Sequence, residues 1–183
     1  MFATWGRWDY LLVCIIYALG VLNLFISSAL YHAFKQGENE NNIWRKLDHV
    51  AIFIMIAATY TPIMYIYADG AWQWSIIIVQ WVLVGLGVWF KLFYLQAPRI
   101  LSPVIYLLMG WMVAIPFRQL WFLMNSISII LLISGGIAFS IGAVIYAMKK
   151  PDPYPGIFGF HELFHLFILL GALLHFLVVY LAI

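Results

Sequence analysis

The chain has little charge. Only 9% of its 183 residues are Asp, Glu, Lys or Arg, against roughly a quarter in a soluble domain, so no stretch is left over from which a water-facing domain could be built. Cysteine is nearly absent as well. Cys14 is the single one and lies inside an apolar run, so an internal disulfide is excluded, the redox compartment is not readable, and helix packing is its expected role. A cleavable leader is not expected either, because the first long apolar run lacks a small-residue cleavage site.

What remains is apolar. The composition is 66% hydrophobic with a mean hydropathy of +1.01, which is that of an integral membrane protein. Nine Trp and eleven Tyr concentrate near the ends of the apolar runs, where aromatic belts sit at headgroup level; Trp5, Trp8, Trp72 and Trp74 are examples. A spanning helix needs roughly 20 apolar residues to cross about 30 Å of hydrocarbon. The runs between polar or Pro/Gly punctuation give six spans, Tyr10 to Phe34, Leu47 to Tyr67, Trp74 to Leu92, Leu101 to Phe117, Ser126 to Met148 and Phe160 to Ala182. The expected fold is all-α, one polytopic transmembrane helical bundle over residues 1–183, since backbone groups in lipid must bond within their own segment.

Basic residues set the orientation, because cytoplasmic loops carry the excess of Lys and Arg. Lys35, Arg45, Lys46, Lys91, Arg99, Lys149 and Lys150 follow the first, third and fifth spans, while only Arg7 and Arg118 fall on the other side. The odd loops are therefore read as cytoplasmic, and six spans then leave both termini outside. That unusual arrangement suggests an absent earlier span.

Ionisable groups within a membrane segment mark a function by default. The first span ends in SSALYH with Ser28 and His32, the second begins KLDH with Asp48 and His49, and the last begins FHELFH with His161, Glu162 and His165. Alternating span directions put these three ends at one membrane depth. His161 and His165, at i and i+4, share a helix face and can address one metal ion. His32 can add a third ligand, leaving the fourth position open as in a catalytic zinc site. Asp48 is then placed to hold the metal-bound water or orient a ligand, and Ser28 to hydrogen-bond that water or a substrate carbonyl. Two other readings stay open: a helix-end pair satisfied by water and headgroups, and the zinc-protease pattern H-E-x-x-H with Glu162 as base. Glu162 also suits a helix N-terminus, where the dipole favours negative charge. His175, ten residues beyond His165 and about 15 Å further along the helix, is too far for the same ion and is expected to hydrogen-bond between helices.

SSALYH, RKLDHVAIFIMIAATYTP and FGFHELFHLF, with KLFYLQAPRILSPVIYLLMGW between them, closely resemble the signature regions of the bacterial hemolysin III family, related to the progestin and adipoQ receptors. The resemblance covers essentially the whole chain. It implies a seven-helix membrane fold, here lacking the family's first helix, with Zn2+ near the cytoplasmic face of the bacterial inner membrane. It implies His32, His161 and His165 as the zinc ligands, Asp48 as the aspartate that holds the zinc-bound water, and Ser28 as the family's serine. A zinc-dependent hydrolase of a lipid amide or ester, ceramidase-like in character, is the function expected first. A lipid-responsive sensor of membrane homeostasis with structural zinc is the alternative, and a cytolysin or an intramembrane metalloprotease comes after these. A membrane lipid is the expected partner, nucleic acid is not, and homo-oligomerisation is left open.

Overall fold

The structure is a computed structural model that describes residues 8–35, 37, 42–94, 100–154 and 156–183; Trp5, Arg7 and Arg99, used above as interface and topology markers, lie outside them. The described residues are all-α, with one isolated bridge between Tyr154 and Phe158. Seven α-helices follow in order: α1 (Trp8–Phe34), α2 (Ile43–Tyr67), α3 (Gly70–Phe93), α4 (Leu101–Gly110), α5 (Phe117–Leu123), α6 (Ser126–Met148) and α7 (Phe160–Ala182), with a 3₁₀ turn at Trp111–Ala114 between α4 and α5. Five are long and apolar enough to cross a membrane, or up to six if the bent α4–α5 pair is one span.

Helix starts differ from the apolar-run reading where polar residues form the first turn. α2 begins at Ile43 rather than Leu47 because Asn42 caps it, its side chain accepting from the Arg45 N–H at 2.9 Å. Asp48 therefore lies in the second turn. Asn125 caps α6 in the same way, accepting from the Ser128 N–H at 2.8 Å.

The fourth span is the main correction. Leu101 to Phe117 does not run as one straight helix, and the stretch FRQLWFL read as loop is helical. Pro116 explains the break, since it brings no N–H to the Met112 carbonyl and its ring would clash there. That carbonyl accepts from Ile115 instead, at 3.1 Å in 3₁₀ register, and the Pro116 carbonyl starts α5 by accepting from Gln119 and Leu120 at 2.9 and 3.1 Å. The two segments meet at 54°.

The described residues fall into two compact units, one up to Tyr94 and the other from Ile100 to Ala182. In the first, α2 packs between α1 and α3, and small residues set the approach. A Cβ on Gly20 would overlap the Ala58 Cβ, and one on Gly87 would overlap the Phe53 ring, so glycine is what lets each neighbour in. α1 and α2 run antiparallel, tied at one end by Asp9 accepting from the Tyr65 hydroxyl at 3.1 Å and at the other by Ser28 and Asp48. In the second unit α6 packs on α7 and α4 on α6. Trp111 donates to the Ser140 hydroxyl at 2.9 Å, and Ser140 in turn donates to the Gly136 carbonyl at 2.7 Å, which pins the break to α6.

Candidate functional site

In the first unit the last turns of α1 carry Ser28 and His32, one helical turn apart. Ser28 hydrogen-bonds the half-buried Asp48 carboxyl of α2, so two of the residues singled out from sequence meet across helices. His32 is exposed and packs against the Tyr31 ring at 5.2 Å between centroids. Arg45 lies one turn before Asp48 and acts on its charge. It also acts on His49 and on Lys91, and Lys91 acts on His49. Lys91 is only 1% exposed. The sequence reading used Lys91 solely as a topology marker, and its place at the end of an apolar run hid that it turns inward.

In the second unit His161 and His165 lie on the first two turns of α7 and converge. Their Nε2 atoms are 3.1 Å apart and their rings stand nearly perpendicular, at 86°. Two imidazole nitrogens bound at 2.0–2.1 Å to one tetrahedral zinc are about 3.3 Å apart, so the pair fits a shared ion with a shift of a few tenths of an ångström. Without an ion the same spacing is a hydrogen bond in which one ring donates its N–H to the other. Tyr146 of α6 flanks His161, with ring centroids 6.5 Å apart.

The start of α7 is held firmly. Glu162 accepts from the Gly159 N–H at 2.8 Å, and Asp152 accepts from the Phe160 N–H at 3.1 Å. The first is the reciprocal half of a capping box, with Glu162 at the third helical position reaching back to the residue before the helix. Asp152 comes within reach because the chain folds back at Tyr154 and Phe158, whose backbones exchange hydrogen bonds of 3.0 and 2.9 Å, with Gly156 at φ +82° allowing the turn. Asp152 was not foreseen, since its contact depends on that turn. Further along α7, His175 does hydrogen-bond between helices, its Nε2 donating to the Leu132 carbonyl of α6 at 3.1 Å. Its ring occupies the space that a Cβ on Gly135 would take.

The comparisons agree with these motifs. The family model for "Haemolysin-III related" proteins matches residues 1–176. The chain is similar to the Hemolysin-3 homolog of Bacillus subtilis (strain 168), 32% identical over 171 residues that make up 93% of this chain and 76% of that protein. It is similar to Hemolysin-3 of Bacillus cereus, 30% identical over 161 residues, 88% of this chain and 70% of that one. At lower identity it matches the ADIPOR-like receptor IZH2 of Saccharomyces cerevisiae, 25% over 196 residues, 96% of this chain and 60% of that one. No solved structure matches it. The chain belongs to the haemolysin-III-related family of integral membrane proteins.

Proposed function

We propose that this protein is a zinc-dependent hydrolase that cleaves an amide or ester bond of a membrane lipid. The observation that carries the reading is the convergence of the His161 and His165 Nε2 atoms to 3.1 Å at the start of a membrane helix. His32 is the third ligand in this reading; each of the three offers one ring nitrogen. Three imidazoles with an open fourth position form the donor set of a catalytic zinc. Zinc held there supplies a Lewis acid that polarises a carbonyl and makes water a better nucleophile.

The chain's own residues do the rest. Asp48 takes a proton from the attacking water, and its hydrogen bond to Ser28 fixes the carboxylate's direction. Glu162 is the base that a protease-like mechanism would need, but it is engaged with the Gly159 N–H, which favours Asp48 for that role. Cytolysis fits poorly, because a polytopic chain with short loops has no soluble form with which to attack another cell.

Charge supports one topology. Lys149 and Lys150 between α6 and α7, like Lys35, Arg45 and Lys46 between α1 and α2, belong on the cytoplasmic side. Both loops reach that side only if the bent α4–α5 pair crosses the bilayer, and only then do His32 and the α7 pair share a membrane face. The site accordingly lies near the cytoplasmic face of the bacterial inner membrane.

A second reading, a lipid-responsive regulator with structural zinc, draws on the relative whose name includes "receptor". Incubating zinc-loaded protein with total lipid extract and measuring released fatty acid by mass spectrometry separates the two. The hydrolase reading expects release that a His32→Ala variant lacks. Equal release from both proteins, or none from either, refutes it, and zinc bound without release favours the regulator.

A further inference from the structure

Tyr17 of α1 is only 4% exposed, and its hydroxyl is buried with no hydrogen-bonding partner among the described residues. Inside a membrane there is no bulk water to satisfy such a donor. Its position on the helix is informative. Tyr17 and Ser28 are eleven residues apart, which at 100° per residue puts them about 20° apart around α1 and roughly 16.5 Å apart along it. The two share a face, and their separation is close to one leaflet of an about 30 Å hydrocarbon core.

The neighbouring helix supplies the complementary group. Gly20, almost one turn beyond Tyr17, lets Ala58 of α2 come against α1. Pro62 lies four residues after Ala58, inside α2. Having no N–H, it withdraws the donor that a continuous helix would give the Ala58 carbonyl. The nearby Thr61 hydroxyl does not replace that donor, because it donates to the Ala57 carbonyl at 2.8 Å and accepts from Trp81 Nε1 at 3.1 Å. Side chains on a helix lean toward its N-terminus. For Tyr17 that is the direction in which the antiparallel α2 runs from Ala58 to Pro62.

We propose that the Tyr17 hydroxyl and the Ala58 carbonyl are the two halves of a buried site for one uncharged hydroxyl group, which accepts from Tyr17 and donates to Ala58. The hydroxyl belongs either to the far end of a lipid chain that enters from the bilayer beside Tyr17, since α2 closes the face between Tyr17 and Ser28, or to a resident water. A lipid source makes Tyr17 a specificity determinant for chains hydroxylated far from the headgroup. That version rests on the hydrolase reading for its biological meaning, but the binding itself does not.

Two measurements on the whole protein in detergent test the site. The first is the affinity for a fatty acid hydroxylated near its methyl end and for its unsubstituted parent, followed by thermal shift. With a lipid source the hydroxylated acid binds about tenfold more tightly, the worth of one buried neutral hydrogen bond, and Tyr17→Phe, which keeps the ring, removes the preference. The second is X-ray radiolytic labelling, which modifies side chains in contact with bound water; labelling of Tyr17 without a fatty-acid preference assigns the hydroxyl to water. Equal affinities with Tyr17 unlabelled overturn the site, and so does a preference that survives Tyr17→Phe. An intact preference in a protein that releases no fatty acid from lipid extract sinks the hydrolase reading alone.

Discussion

Gly135→Ala tests the α6–α7 packing most sharply. The added Cβ would overlap Cδ2 and Nε2 of His175, so the ring must swing away. It then gives up its 3.1 Å bond to the Leu132 carbonyl and its edge-on contact with Phe139, at 5.4 Å between centroids. Forcing a methyl into a packed interface costs about 1–3 kcal/mol. Stranding a buried polar group adds about 1–3 kcal/mol, toward the low end here because interhelical hydrogen bonds in membranes average only about 0.6 kcal/mol. The sum is about 2–4 kcal/mol. In a His175→Ala background no ring stands in the way, and alanine's better helix propensity, worth up to about 1 kcal/mol, offsets what strain remains. The double-mutant cycle should therefore show a coupling close to that sum, about 2–4 kcal/mol. Unfolding in mixed micelles titrated with sodium dodecyl sulfate, followed by circular dichroism, measures all four corners. Additivity within about 0.5 kcal/mol would refute the account of how α6 and α7 approach.

Removing any of His32, His161 or His165 by alanine should abolish zinc binding or weaken it severely, because affinity follows ligand count; metal per chain after chelator-free purification decides this, and a zinc-replete His32→Ala protein would break the three-histidine site. Asp48→Asn should keep the metal with affinity lowered about 10- to 100-fold while ending lipid hydrolysis. Glu162→Gln should leave turnover near that of the parent, and a dead Glu162→Gln beside a live Asp48→Asn would transfer the base to α7. A cytoplasm-only fluorescent reporter fused after Ile183 should stay dark, and bright cells would invert the topology.

Much of this architecture was legible in the sequence for a simple physical reason: a membrane segment has to bond its backbone internally, so apolar runs become helices. α6 and α7 begin and end where the runs do. The misses occur where backbone chemistry overrides hydropathy. Asn42 extends α2 back through IWRK, a polar turn that an apolar-run reading discards. Pro116 breaks the fourth run although every residue from Val104 to Leu108 is apolar, because a missing donor is invisible to hydropathy. At the candidate site, the i, i+4 spacing of His161 and His165 foretold their convergence, since helical geometry alone decides it. Two helix ends at one depth put Ser28 and Asp48 at the same level, but their direct hydrogen bond was not foreseen, since Ser28 was expected to address the metal-bound water or a substrate carbonyl. The inward turn of Lys91 and the reach of Asp152 depend on tertiary packing and on a turn, which spacing does not encode.

The cap on α7 bears on how readily His161 and His165 are available together. The first turn of a helix is the part that frays, because its N–H groups lack intrahelical partners, and His161 is the second residue of α7. A frayed turn would present the two rings independently, and an incoming ion would have to organise them at its own entropic expense. With Gly159 fastened to Glu162 and Phe160 to Asp152, the rings are held in register beforehand, so under the proposed zinc reading the hairpin closed by Tyr154 and Phe158 would act on capture rate and residence time without ever meeting the ion. Loosening that hairpin should raise amide exchange at Phe160 and His161 first. Any loss of affinity would follow from that fraying, with every ligand still in place.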